Sequence, residues 1–162
     1  PNEPRAHALM PDMATTLLAL AGVARPNTGV TLDFAHMLYA GEMPARAAML
    51  AARASRILGV HLNDGYGKRD DGLMAGSVHP VQTAELLVAL IRLGYSGIIY
   101  FDTFPDHSGL DPVAEARANI RLTDRLYDLA LRLADDPALA EAQARQDAAA
   151  ATTLVTAALL GA

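Results

Sequence analysis

Acidic and imidazole side chains recur at three points of the sequence, each near the end of a short apolar run. Asp33 and His36 follow the first run, His61 and Asn63 end the second, and Asp102 follows the third. Carboxylates mixed with imidazoles, in a chain without cysteine, suit a divalent cation such as Mn, Mg or Co better than a thiolate zinc site. The residue types therefore predict a metal site assembled from three segments of the chain.

The three apolar runs have the length and composition of buried strands. They cover residues 29–34 (GVTLDF), Ile57–Leu62 (ILGVHL) and 97–101 (GIIYF). Helical patterns alternate with them over residues 14–23, 44–55, 81–93, Pro112–Ala134 and 138–149. Strands linked by helical crossovers predict a parallel α/β sheet. Strands this apolar need cover on both faces, either from flanking helices or from closure into a barrel.

The predicted topology brings the polar side chains together, because the carboxyl ends of parallel strands meet at one edge of the sheet. Asp33 and His36 are three residues apart, so on a straight strand they would point to opposite faces. They share a site only if the strand ends between them and turns. Residues 63–80 are rich in Gly and Asp, carry Asp70, and are predicted to form a long functional loop.

Each of these residues also has a purely structural interpretation. Asp33 or Asp102 alone could cap a helix. Asp111 is predicted to cap the helix that starts at Pro112, and Gly94 is predicted to end the helix over residues 81–93. His36 or His61 alone could be a hydrogen-bonded core histidine, and an Asp in a Gly-rich loop is usually solvated. Three consecutive strands that each deliver Asp or His to one edge favour a shared site.

Composition excludes several classes of protein. The chain has 162 residues, 13 Lys plus Arg against 18 Asp plus Glu, and a formal charge of −5, which argues against a nucleic-acid partner. One domain can bury an adequate core at this length. The weakly polar residues 148–162 are too few to span a membrane, and no secretory signal opens the chain, so we expect a cytoplasmic protein without a membrane partner.

The order of the motifs resembles a known family. Residues 1–5 (PNEPR), the strand with Asp33 and His36, the His61–Asn63 strand and its Asp-bearing loop, and Phe101–Asp102 followed by Pro105 are similar to the C-terminal half of xylose isomerase. Residues 59–64 (GVHLND), 70–73 (DDGL) and Gly76–Ser77 are closer still to L-rhamnose isomerases. The tail 134–141 resembles the end of xylose isomerase chains.

The resemblance implies a (β/α)8 TIM barrel that interconverts aldoses and ketoses with one or two divalent ions, Mn, Mg or Co. Carried over by position, His61 and Asp102 bind the first ion, His36 and Asp70 bind the second, and Asp33 ligates or bridges them. His36 and Asp70 are then also the catalytic candidates. Asn63 and Glu3 are the substrate-binding candidates, and the substrate is a monosaccharide.

Two departures from the family pattern shape the expectation. Gly72 stands where the family usually has a second loop Asp, so either Asp71 substitutes for it or the second ion site is weak. The family's ligand Glu and catalytic Lys lie before the segment that matches residues 1–5. We therefore expect about strands six to eight of a barrel over residues 1–134, inactive alone, followed by a helical tail, 135–162, through which the full protein forms a homo-oligomer.

Three alternatives stay open. A one-metal sugar or sugar-phosphate epimerase of the same barrel superfamily accommodates the missing ligand at Gly72. A non-catalytic half-barrel that serves as an assembly module is the alternative from another class. A flavodoxin-like domain is less favoured, because no Gly-rich phosphate loop follows any predicted strand.

Overall fold

Helices and three short strands alternate along the chain in a computed structural model that describes residues 8–104 and 111–161. In chain order the elements are α1 (Met13–Val23), β1 (Val30–Asp33), α2 (Phe34–Tyr39), α3 (Pro44–Ala54), β2 (Ile57–Leu62), α4 (Pro80–Arg92), β3 (Ile99–Phe101), α5 (Pro112–Ala134), α6 (Pro137–Ala144) and α7 (Ala148–Leu160). No helix in the described part of the chain is long and apolar enough to cross a membrane.

The three strands form one parallel sheet in the order β1-β2-β3. This confirms the predicted α/β class and the parallel arrangement. The register pairs Asp33 of β1 with His61 of β2, and His61 with Tyr100 of β3. Since side chains two residues apart point to the same face of a strand, Asp102 follows Tyr100 on that face.

The two faces of the sheet differ in burial. Leu32, Val60 and Leu62 are buried and belong to the hydrophobic core, together with Leu86 and Leu87 of α4. The alternate strand positions point the other way, and Tyr100 there is 58% exposed. In the described residues the helices therefore cover one face of the sheet, and the face that carries His61 is open.

Local sequence signals explain most of the helix boundaries. Asp111 caps α5 by accepting a hydrogen bond from the Val113 N–H, and Pro112 occupies the first turn, as predicted. Gly94 follows α4 with φ of 65°, a left-handed conformation that favours glycine at a helix end.

The third strand begins at Ile99, two residues later than predicted, the first begins at Val30, and several helix ends differ by one residue. Two further differences have a local cause. The first strand ends at Asp33 rather than Phe34, because the Asp33 carboxylate caps the short helix α2, which the sequence analysis did not predict. The tail is not one helix over residues 138–149. It breaks after Ala144, where Gln146 adopts a φ of 56°, and Asp147 then caps α7.

Candidate metal centre

Three side chains converge at the carboxyl edge of the sheet, one from each strand or its end. Asp33 ends β1, His61 lies in β2, and Asp102 directly follows β3. The His61 Nδ1 lies 3.4 Å from Oδ2 of Asp33 and 3.3 Å from Oδ2 of Asp102. One ligand atom from each residue lies within 4.8 Å of the others, a grouping compact enough to surround a single cation.

The donor set of Asp33, His61 and Asp102 fits a divalent cation chemically. Two carboxylate oxygens and one imidazole nitrogen are the donors that Mn²⁺ and related ions accept, whereas thiolates are absent from the chain. A divalent ion between the two carboxylates would offset their mutual repulsion.

A second pair lies beside the first group. The His36 Nε2 is 3.1 Å from Oδ2 of Asp70, and the side chain of His36 is half exposed. The strand does end between Asp33 and His36, which is the condition under which the two can share a site. Burial raises the pKa of the Asp70 carboxyl, and the nearby Asp33 carboxylate adds to the rise, while hydrogen bonds from His36 and Gly72 oppose it.

Asn63 connects the two groups. Its Oδ1 accepts a buried hydrogen bond from the Ala35 N–H at 2.9 Å, and its Nδ2 donates to Oδ1 of Asp33 at 3.2 Å and to Oδ1 of Asp70 at 3.5 Å. The residue has no exposed surface. Of the sequence-predicted site residues, six form one connected network: Asp33, His36, His61, Asn63, Asp70 and Asp102. Glu3 lies outside the described residues.

The capping interpretation of Asp33 and the metal interpretation hold together. Oδ1 of Asp33 accepts the hydrogen bonds of the His36 N–H and the Asn63 amide, while Oδ2 faces His61. One oxygen of the Asp33 carboxylate thus caps the helix, and the other is available to a metal ion. The cap also starts α2, and α2 is what places His36 beside Asp70.

The backbone conformation and the packing of the loop leave no room for a side chain at Gly72. Gly72 has a φ of 60°, and a Cβ built there would lie 2.3 Å from the ring of Phe104. Asp71 accepts hydrogen bonds from Arg69 at 2.7 Å and from the Tyr66 N–H at 2.8 Å, and its hydrogen bond with Arg69 lowers its pKa. Asp71 is therefore engaged within the loop.

Sequence reasoning assigned no role to two buried polar residues, Asp64 and Asn119, that hold this loop. Asp64 bonds to the residues that precede α4, including His79. Asn119 of α5 accepts a hydrogen bond from the Ala75 N–H at 2.9 Å. Asn119 lies in a helix whose sequence shows only an apolar period, so no local signal indicated its role.

A family model described as xylose isomerase-like TIM barrel matches residues 4–126, most of the chain. The chain belongs to the xylose isomerase-like TIM barrel family. This confirms the resemblance drawn from the motifs. No curated protein matches the sequence significantly.

The family match covers every described element from α1 to β3 and most of α5, and so includes the whole network. The xylose isomerase-like family contains isomerases and epimerases, and often binds divalent metals. Among the described residues, Asp33, His61 and Asp102 form a group that is compact enough to hold such an ion.

Proposed function

We propose that the chain carries the metal-binding edge of an aldose–ketose isomerase. The observation that supports this most is the convergence of Asp33, His61 and Asp102 at one sheet edge in a member of the xylose isomerase-like family. These three residues would hold the first divalent ion. His36 and Asp70 would hold a second, where one binds.

The proposed chemistry divides between the ion and the side chains. The ion that Asp33, His61 and Asp102 would hold would act as a Lewis acid on the oxygens of an open-chain sugar, the chemistry that allows hydrogen to move between neighbouring carbons. The imidazole of His36 is half exposed, and Asp70 orients it through Nε2 at 3.1 Å. This pair would exchange a proton with a hydroxyl of a sugar bound at the sheet edge. The amide of Asn63 is buried among the carboxylates, so we assign it to their orientation.

We further propose that residues 1–134 supply about strands six to eight of an eight-stranded barrel, and that the three strands of the sheet are these. A barrel of this type needs eight parallel strands, and the described residues supply three, with the face that carries His61 uncovered. The tail, residues 135–162, would pack against a second copy. Its helix α7 buries no residue completely in this chain, although it is rich in Ala and Leu.

One observation favours a second candidate, a one-metal sugar or sugar-phosphate epimerase. The ring of Phe104 occupies the space beside Gly72 that a second loop ligand would require. With Asp71 bonded to Arg69, residues 70–72 offer the second ion only the carboxylate of Asp70.

Product analysis of the protein purified from its source with Mn²⁺ separates these functions. The isomerase converts L-rhamnose or D-xylose to the corresponding ketose, whereas the epimerase converts D-fructose to a second ketose. The 162-residue chain alone is expected to turn over neither. Absence of turnover of these sugars and of D-fructose 6-phosphate by the source preparation would contradict both enzymes and favour the non-catalytic half-barrel.

A further inference from the structure

Asp64 is a buried acidic residue that lies directly after Asn63 and outside the proposed ligand set. Its side chain has no exposed surface. Oδ1 accepts hydrogen bonds from the Gly65 N–H at 2.8 Å and from His79 Nδ1 at 2.7 Å, and Oδ2 accepts from the N–H groups of Val78 and His79, both at 2.8 Å. A carboxylate offers about four acceptor sites, so this one is fully used.

The backbone of Asp64 closes the same loop at a second point. Asp64 and Leu73 form an isolated antiparallel bridge, with N–H to oxygen distances of 2.9 and 3.0 Å. The segment 65–72, which carries Asp70, therefore leaves Asp64 and returns to it through Leu73. The side chain then ties Asp64 to the start of α4, an element packed into the core.

Packing contributes little to holding the middle of this segment. Residues 66–69 are all exposed, and even the large aromatic side chain of Tyr66 is 68% exposed. Polar contacts must therefore fix the position of Asp70. At the far end the Phe104 N–H donates to the Gly72 oxygen at 2.8 Å, and at the base the fixed point is Asp64.

We infer that Asp64 is a positioning residue for the proposed metal centre, because its contacts with His79 and Leu73 hold Asp70 against His36 and Asn63. The inference rests on the proposed function, since it assigns Asp64 a role in the affinity for the second ion, which His36 and Asp70 would hold. Partners that orient metal ligands typically change metal affinity by about 10–100-fold when they are lost.

The test compares the full chain with three variants at a temperature at which circular dichroism shows all of them folded. Asp64→Asn keeps the size of the side chain but removes part of its acceptor capacity, and His79→Gln removes the imidazole donor while leaving the backbone N–H groups in place. Asp136→Asn is the matched control, because Asp136 also accepts two backbone hydrogen bonds but caps α6, far along the chain from the loop. Mn²⁺ affinity is measured by electron paramagnetic resonance, and amide exchange of residues 65–78 by mass spectrometry.

We expect Asp64→Asn to weaken Mn²⁺ binding about tenfold or more and to speed exchange in residues 65–78, with a smaller change in His79→Gln and none in Asp136→Asn. Mn²⁺ affinity in folded Asp64→Asn within twofold of the wild type overturns the inference and leaves the metal centre intact. If the wild-type chain takes up no Mn²⁺, the proposed function fails, and with it the role of Asp64 in metal affinity. Amide exchange of residues 65–78 in the metal-free protein measures the stability of the loop independently of metal binding. An unchanged exchange rate in Asp64→Asn overturns the positioning role.

Discussion

Asn63 is the residue on which the proposed site depends most directly. It is buried, and a single amide serves the Ala35 N–H and the carboxylates of Asp33 and Asp70. A buried donor left without a partner costs about 1–3 kcal/mol. Asn63→Leu, similar in size, should therefore lower the free energy of unfolding by about that amount in urea denaturation.

Asn27→Leu serves as the control for that substitution, because Asn27 is exposed. Surface substitutions away from such networks usually change stability by less than about 0.5 kcal/mol. Equal unfolding free energies for the Asn63 and Asn27 variants would show that the amide does not hold the two carboxylates.

Gly72 gives a second prediction at the scale of single residues. Gly72→Ala meets two costs, the left-handed backbone and the ring of Phe104, whereas Gly41→Ala meets only the first, since Gly41 has φ of 75° and open space around it. Overpacking costs about 1–3 kcal/mol, so Gly72→Ala should be less stable than Gly41→Ala by about that amount. Thermal unfolding followed by circular dichroism measures the difference, and equal losses would mean that Phe104 does not exclude a side chain there.

At the scale of elements, strand positions were predictable and short or polar connections were not. Ile57–Leu62 and Pro112–Ala134 have the predicted bounds, because an apolar run and a long helical period are strong local signals. Helix α2 has six residues, too few to show a period, and it begins only because Asp33 caps it.

The sequence predicts the part of the candidate site that lies on the strands, but not the contacts of the loop. Parallel topology alone places Asp33, His61 and Asp102 at one edge, and the structure brings them together there. The sequence does not reveal the contacts of Asp64 with His79 or of Asn119 with Ala75, because these depend on how the loop 63–79 folds back on α4 and α5.

Helix α4 contributes one carboxyl group to an apolar groove between α3, α4, α6 and α7. Glu85 lies on its rim, with Arg46 of α3 and Arg92 of α4 as the other charged residues that line it. Burial raises the pKa of Glu85. Because a raised carboxyl pKa means that the folded state binds the proton more tightly, ionisation of Glu85 destabilises the fold as the pH rises through that pKa, and the penalty persists at pH 7.

Glu85→Gln should therefore raise the midpoint of thermal unfolding at pH 7 by about 1–2 °C, a small effect because water screens this partly exposed group. The gain should vanish below the ordinary titration range of Glu, where the wild-type carboxyl is protonated in both states. Glu141→Gln, which removes an exposed ion pair with Arg145, should show no such rise. A gain for Glu85→Gln that persists at low pH would contradict this cause.

At the scale of the whole molecule, the sheet offers unpaired edges. In the described part of the chain β1 and β3 each pair on one side only, and Ile98, just before β3, is 76% exposed. Unpaired strand edges are templates for association, and a Lys at the edge blocks it. We expect the chain to self-associate in sedimentation velocity as its concentration rises, and Ile98→Lys to shift it towards monomer.

Leu9→Lys is the control for this prediction, because Leu9 is 90% exposed but lies outside the sheet. A monodisperse monomer at every concentration would count against association through the sheet. An equal effect of the Leu9 and Ile98 variants would assign the association to general hydrophobicity instead of the edge.

The most direct test of the metal centre is a Mn²⁺ titration of the chain followed by electron paramagnetic resonance. Asp33→Ala and Asp102→Ala remove one carboxylate each, and Asp128→Ala removes an exposed carboxylate of α5 as the control. We predict binding by the wild type that weakens about tenfold or more in the first two variants and is unchanged in the third. No uptake by the wild type, or equal affinity in Asp102→Ala, would contradict the proposed site.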